Sequence, residues 1–195
     1  WPRVVEALGR RAAIPAPFGT RPKETVPDRT KARLPDVTAT VSGVYALRKA
    51  DMTAKPYNGT LVLQGSGVTT AFVGEVLPRL DEQGMNLNVY YVSSAELFDL
   101  LPRGKQDEIF PVERAVEAMG ITDHTLPTMY RWVLSPEGRR RTMFPHRGGR
   151  YLGSGQAAKV LEEAGQHAEG QLREILDYAR TFETRTGSSA CLSRG

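Results

Sequence analysis

Between residues 58 and 182, short apolar runs alternate with stretches in which apolar positions recur every three or four residues. "TLVLQ", Thr60–Gln64, is a β-prone run of consecutive apolar residues and suits a strand covered on both faces. Over Thr69–Gln83, Phe72, Val73, Val76, Leu77 and Leu80 share one helical face with charge opposite, and Gly84 stands at the expected stop. "MNLNVYYVSS", Met85–Ser94, predicts a second strand. Ser94 then caps the helix of "AELFDLLP", whose Glu96 and Asp99 favour its early turns.

"PVERAVEAMG" fits a third strand or a short helix, and its periodicity supports both. Thr125 and Pro127 predict the start of a helix through "LPTMYRWVLS" that stops at Ser135-Pro136. "RTMFPHRGGRYLGSG" reads as a strand end running into a glycine loop. Ser154–Glu163 predicts an amphipathic helix capped by Ser154 and closed by Gly165. Gly170–Phe182, with Leu172, Ile175, Leu176 and Ala179 on one face, predicts the last helix. Strands separated by helices of this length imply an α/β fold, a three-layer α/β/α sandwich on a mainly parallel sheet.

The pattern weakens outside this region. Residues 1–57 begin with a short helix candidate, Pro2–Arg11. Prolines at 15, 17, 22, 27 and 35 then forbid a continuous helix or a central strand, so this part reads as an extended connector. Residues 36–57 form a connecting segment in which Thr38–Asp51 regains apolar residues and suits a strand beside the main domain. Residues 183–195, "ETRTGSSACLSRG", are small and polar and read as a flexible tail.

Composition narrows the classes. With 40% hydrophobic and 25% charged residues, the chain is ordinary for a globular protein. No apolar run approaches the ~20 residues of a membrane span, and no signal peptide opens the sequence, so no membrane partner is expected. Cys191 is the one cysteine, which rules out an intrachain disulfide and fits a cytoplasmic setting. The net charge of +4 is mild, and Arg10-Arg11 and Arg139-Arg140-Arg141 lack interleaved aromatics, so nucleic acid is not the expected partner.

Two loops are candidates for chemistry. Gly65-Ser66-Gly67 lies where a strand ends and a helix begins, where backbone N–H groups can meet an anion. It matches neither G-x-G-x-x-G, because Thr70 takes the third glycine's place, nor a phosphate loop, because no lysine follows. Close strand-to-helix packing is the plainer reading of this turn. The second loop, "HRGGRYLGSG", gathers His146, Arg147 and Arg150 ahead of a helix capped by Ser154. Those residues suit a phosphate or carboxylate, or simply face water. His124, His146 and His167 are scattered without metal-like spacing, and no G-x-S-x-G elbow occurs. No catalytic residues and no metal ligands are assigned.

Residues 58–180 resemble the C-terminal domain of transketolases, the thiamine-diphosphate enzymes that move two-carbon ketol units. "GTLVLQGSGV" is similar to that domain's first strand and Gly-Ser turn, and "VYYVSSAELFD" to its next strand, polar turn and helix. "IFPVERAVEAMGIT", "MYRWV" and "FPHRGGRYLGSGQAAKVLEEAG" resemble the segments that follow, in the family's order. The basic loop and "TLPTMYRW" are longer than the family pattern, which marks a divergent branch. Residues 1–35 would then end the preceding pyrimidine-binding domain, with Thr20-Arg21 in place of its Ser-Arg pair. On that resemblance Arg21 faces the substrate phosphate. It is equally an arginine of an exposed linker.

The resemblance implies that this chain alone binds no cofactor, because the activating glutamate and the metal-binding G-D-G motif are not in it. The parent enzyme would carry thiamine diphosphate with Mg or Ca, and act as a homodimer on a sugar phosphate or keto acid. This chain would support packing and dimer contacts, joined to the remaining domains or subunits. Two alternatives stay open. One is the corresponding part of a pyruvate-dehydrogenase first component; the other is a stand-alone anion- or nucleotide-binding regulatory module.

Overall fold

β2 (Thr60–Gln64) and β3 (Asn88–Val92) form on the apolar runs that predict them, and they pair in parallel, Leu61 opposite Val89 and Leu63 opposite Tyr91. The computed structural model describes Glu6, Gly9, residues 24–53 and residues 56–192, with residues 183–192 described by backbone alone. Apart from Glu6 and Gly9, the helix candidate Pro2–Arg11 lies outside the described residues, and so does Arg21.

Two more strands complete the sheet in the order β1-β3-β2-β4. β1 (Val44–Arg48) joins as an antiparallel edge, with a register irregularity between Ala46 and Arg48. β4 (Met119–Thr122) runs parallel to β2 on the other side. A single parallel bridge, Ile121 to Met143, carries the ladder one residue further, so the strand end expected around "RTMF" shrinks to one pairing.

Alternation along the strands divides the core into two layers. Leu61, Leu63, Val89, Met119 and Ile121 face one side. They pack against helix α1 (Ser66–Ala71), a π-helical segment (Phe72–Val76), α2 (Leu77–Glu82) and the long α8 (Ala168–Leu192). Val44, Val62, Tyr90 and Val92 face the other side, towards Phe98, Phe110, Ala115, Trp132 and Val133. Trp132 is nearly buried, and Phe98 and Phe110 meet it edge-on at 5.6 and 5.8 Å between centroids. Burial of each such ring contributes about 1.5–3 kcal/mol against the cost of ordering it.

Several boundaries differ from the sequence reading, each for a local reason. "PVERAVEAMG" supplies both candidates: α5 (Val112–Glu117) forms first, and Ala118 returns to extended backbone before β4. Ser94 caps α3 (Ala95–Asp99) by accepting from Leu97 N at 3.1 Å, and Pro102 then starts a separate helix, α4 (Arg103–Ile109). The helix expected through "LPTMYRWVLS" is only a 3-10 turn, Leu126–Met129. It does not propagate because Leu134 N donates to Ala115 O, and Arg139 Nε caps Val133 O at 2.8 Å. Ser135 instead begins α6 (Pro136–Arg141), accepting from Gly138 N. α7 spans Ala157–Glu163, and α8 continues past the expected stop at Phe182 to Leu192.

At the amino edge of the sheet, Tyr178 of α8 ties two elements together. Its hydroxyl accepts from Thr60 N at 2.9 Å and donates to Glu117 O at 2.8 Å. Beside it Thr60 Oγ1 donates to Glu117, and Tyr57 donates to the same carboxylate oxygen. Arg114 completes the cluster on Tyr57 and Glu117. Among the described residues no helix is long and apolar enough to cross a membrane.

Candidate functional site

In open α/β sheets the crevice beyond the carboxyl ends of the strands is where ligands bind. Here β2 ends at Gln64, β3 at Val92 and β4 at Thr122, and a crevice of about 510 Å³ opens beside them. Gln64, Ser66, Ser93, Ser94, Asp123 and His124 line it.

Asp123, one residue past β4, reaches the Gly-Ser-Gly turn. Its carboxylate accepts from Gly67 N at 2.8 Å and from Val68 N at 3.2 Å, at the start of α1. The N–H groups that an incoming anion would use already serve a carboxylate of the chain itself. Burial pushes the Asp123 carboxyl above its ordinary value, with the two N–H bonds opposing that push.

Several other polar groups of the crevice are also engaged. Ser66 donates to Glu24 at 2.9 Å, and Ser94 to Glu96 at 2.9 Å. Ser93 donates to Gly43 O at 3.0 Å, and Gln64 Oε1 accepts from Thr122 and Thr128. A ligand here would have to displace internal bonds at each of these contacts.

The basic loop leaves the same edge of the sheet after Met143. His146 Nδ1 lies 3.3 Å from Arg150 O, and its ring meets the exposed Tyr151 edge-on at 5.6 Å. Arg147 pairs with Glu174 at 3.1 Å, and Arg150 with Glu163 at 3.7 Å. An anion in the adjoining cleft of about 370 Å³ would compete with two carboxylates already in place. Ser154 does not cap the following helix. Gly153 N donates to Glu163 Oε2 at 3.3 Å, which ties the loop back onto α7, and Gln156 occupies the cap position without a side-chain bond.

The sequence reading missed Asp123, Glu24 and Glu117. Asp123 carried one available signal, an acidic residue directly after a strand that ends level with the glycine turn. Among the described residues no group of three His, Cys, Asp or Glu side chains could hold a metal ion.

Fold and edge together define an α/β/α sandwich in which Asp123, Ser66 and Ser94, at the carboxyl edge of the sheet, bond within the chain. No family model matches the sequence, and no curated protein matches it. Among solved structures, transketolases share the fold. The enzyme from Leishmania mexicana superposes on 74% of this chain with a TM-score of 0.54 at 16% identity. The Campylobacter jejuni enzyme covers 74% with a TM-score of 0.50 at 21% identity. A Pichia stipitis transketolase in complex with sedoheptulose 7-phosphate covers 75% with a TM-score of 0.53 at 16% identity. In each case the match spans only 19% of the transketolase chain.

Proposed function

We propose that this chain is the C-terminal domain of a transketolase-like, thiamine-diphosphate-dependent enzyme, and that it serves packing and assembly without catalysing ketol transfer alone. The observation that carries this reading is the likeness to one fifth of the length of transketolases over three quarters of this chain. Arg21 would contact the substrate phosphate at the border of the preceding domain.

Two features of the molecule support a supporting role. At the carboxyl edge, Asp123, Ser66 and Ser94 already bond within the chain, so a ligand there would compete with those contacts. α5 meanwhile exposes Val112 and Val116, one helical turn apart, with the exposed Leu134 bonded by its backbone to Ala115 between them. Exposed apolar groups gathered in this way suit cover by another part of an assembly.

The test is ketol transfer from a sugar phosphate with thiamine diphosphate and Mg²⁺. The 195-residue chain should be inert alone, and activity should appear when the remaining domains of the parent are supplied. Turnover by this chain in the absence of any companion would overturn the proposal. So would a parent lacking a thiamine diphosphate site.

A further inference from the structure

At the amino edge of the sheet, directly before β2, the chain runs through Asn58 and Gly59. An asparagine followed by glycine is open to ring closure, because no side chain on the second residue shields its backbone nitrogen. The other asparagines of the chain, Asn86 and Asn88, precede Leu87 and Val89, whose side chains hinder the same approach. The fold confines residue 59 to glycine. Its φ is 109°, and a Cβ there would collide with the Tyr178 hydroxyl.

Three features of the folded chain favour the reaction. Among the described residues Gly59 N has no hydrogen-bond acceptor, so no bond is lost when it attacks. Asn58 Oδ1 accepts from Asn86 N at 2.8 Å. That oxygen takes up negative charge when a nucleophile adds to Cγ, and a backbone N–H already aimed at it stabilises the charge. Asn58 is half-buried, so water reaches the residue from one side.

We propose that Asn58 is a site of spontaneous deamidation in the folded protein. Gly59 N gives its proton to hydroxide and adds to Asn58 Cγ. The N–Cγ bond forms, the Cγ–Nδ2 bond breaks, and Nδ2 leaves as ammonia with a proton from water. Water then opens the cyclic imide at either carbonyl, giving aspartate or isoaspartate without any redox change. Aspartate keeps the oxygen that Asn86 N needs. Isoaspartate routes the main chain through the former side chain, which disturbs the paired bonds of Asn58 with Asn86 N and O. The preceding connector is held through the same residue, since Asp51 N donates to Asn86 Oδ1 at 2.7 Å. Isoaspartate at residue 58 therefore loosens the connector from the sheet, and aspartate does not.

The test is incubation of the full chain at pH 8.5 and 37 °C beside a free peptide of residues 57–61, with isoaspartate located by enzymatic methylation and peptide mapping. Isoaspartate should build up at residue 58 of the folded chain over the same period as in the peptide, with Asn86 and Asn88 intact. Asn58→Gln, which closes its ring far more slowly, should suppress it. The isoaspartyl protein, separated by ion exchange, should melt below its parent, whereas Asn58→Asp should melt close to it. Asn58 left intact once the peptide has fully converted, equal conversion at Asn86, or an isoaspartyl protein that melts with its parent would each overturn the proposal.

Discussion

The Asp123 carboxylate fills the space that a side chain at residue 65 would need: a Cβ built on Gly65 would lie 2.5 Å from Asp123 Oδ2. Gly65 also holds φ at 101°, which L residues with side chains rarely adopt. One acidic side chain and one missing side chain therefore define the strand-to-helix turn together.

Gly65→Ala should destabilise the fold by two routes, backbone strain and collision with Asp123. Asp123→Ala should cost about 1–3 kcal/mol, because it strips the helix start of its acceptor. The double variant should be less destabilised than the sum of the two, since the collision disappears, whereas the strain remains. Chemical denaturation of the four proteins measures this. Strict additivity would show that the two residues do not meet.

The pH dependence of Asp123 has a definite sign. Its folded value is raised, so its contribution to stability is full below the ordinary value of 3.8 and declines as pH rises through the folded value. Asp123→Asn should abolish that decline in a stability profile taken from pH 3 to 7.

Tyr57 should titrate late. Burial, then the bond to Glu117, pushes its hydroxyl from 10.0 up to about 12. A raised folded value means stability that is complete below pH 10 and lost as pH climbs through about 12. Tyr57→Phe should lower stability at neutral pH by about 1–2 kcal/mol through the lost hydroxyl. It should also make the alkaline loss shallower by one proton. An unchanged alkaline slope would remove Tyr57 from this account.

Glu137 works in the acid range. Hydrogen bonds from Arg140 and Arg141 hold its carboxyl near 2 instead of 4.5. The stability it gives is present above pH 4.5 and lost as pH falls through about 2. Its side chain is 34% exposed, so solvent screening limits the gain. Glu137→Gln should cost no more than about 1 kcal/mol and should matter less in high salt. Thermal melts at two ionic strengths check both points.

Elements with dense, periodic apolar residues and a glycine stop were legible in the sequence. The Thr60–Gln64 strand lies where its pattern places it, and the stripe from Phe72 to Leu80 is buried as a face. α4 and α6 were not, because Arg103–Ile109 and Pro136–Arg141 are too polar to carry a stripe. The candidate site was half legible. A glycine turn announces close approach, but its occupant, Asp123, is 56 residues further along. The basic loop showed its arginines in the sequence, but not that Arg150 pairs with Glu163 and Arg147 with Glu174 on later helices.

The wide turn at Phe72–Val76 means that this helix carries a surplus residue, absorbed where it does least harm. The stretches before and after it stay in phase, Val68 and Phe72 on one side of the insertion and Leu77 and Leu80 on the other, all buried against the sheet. Removing Gly74 should let the backbone relax to ordinary helical pitch without rotating either flank, and the shortened chain should melt within a few degrees of its parent. The segment would then be a tolerated insertion, free to vary in length by one residue while the sheet beneath it stays fixed.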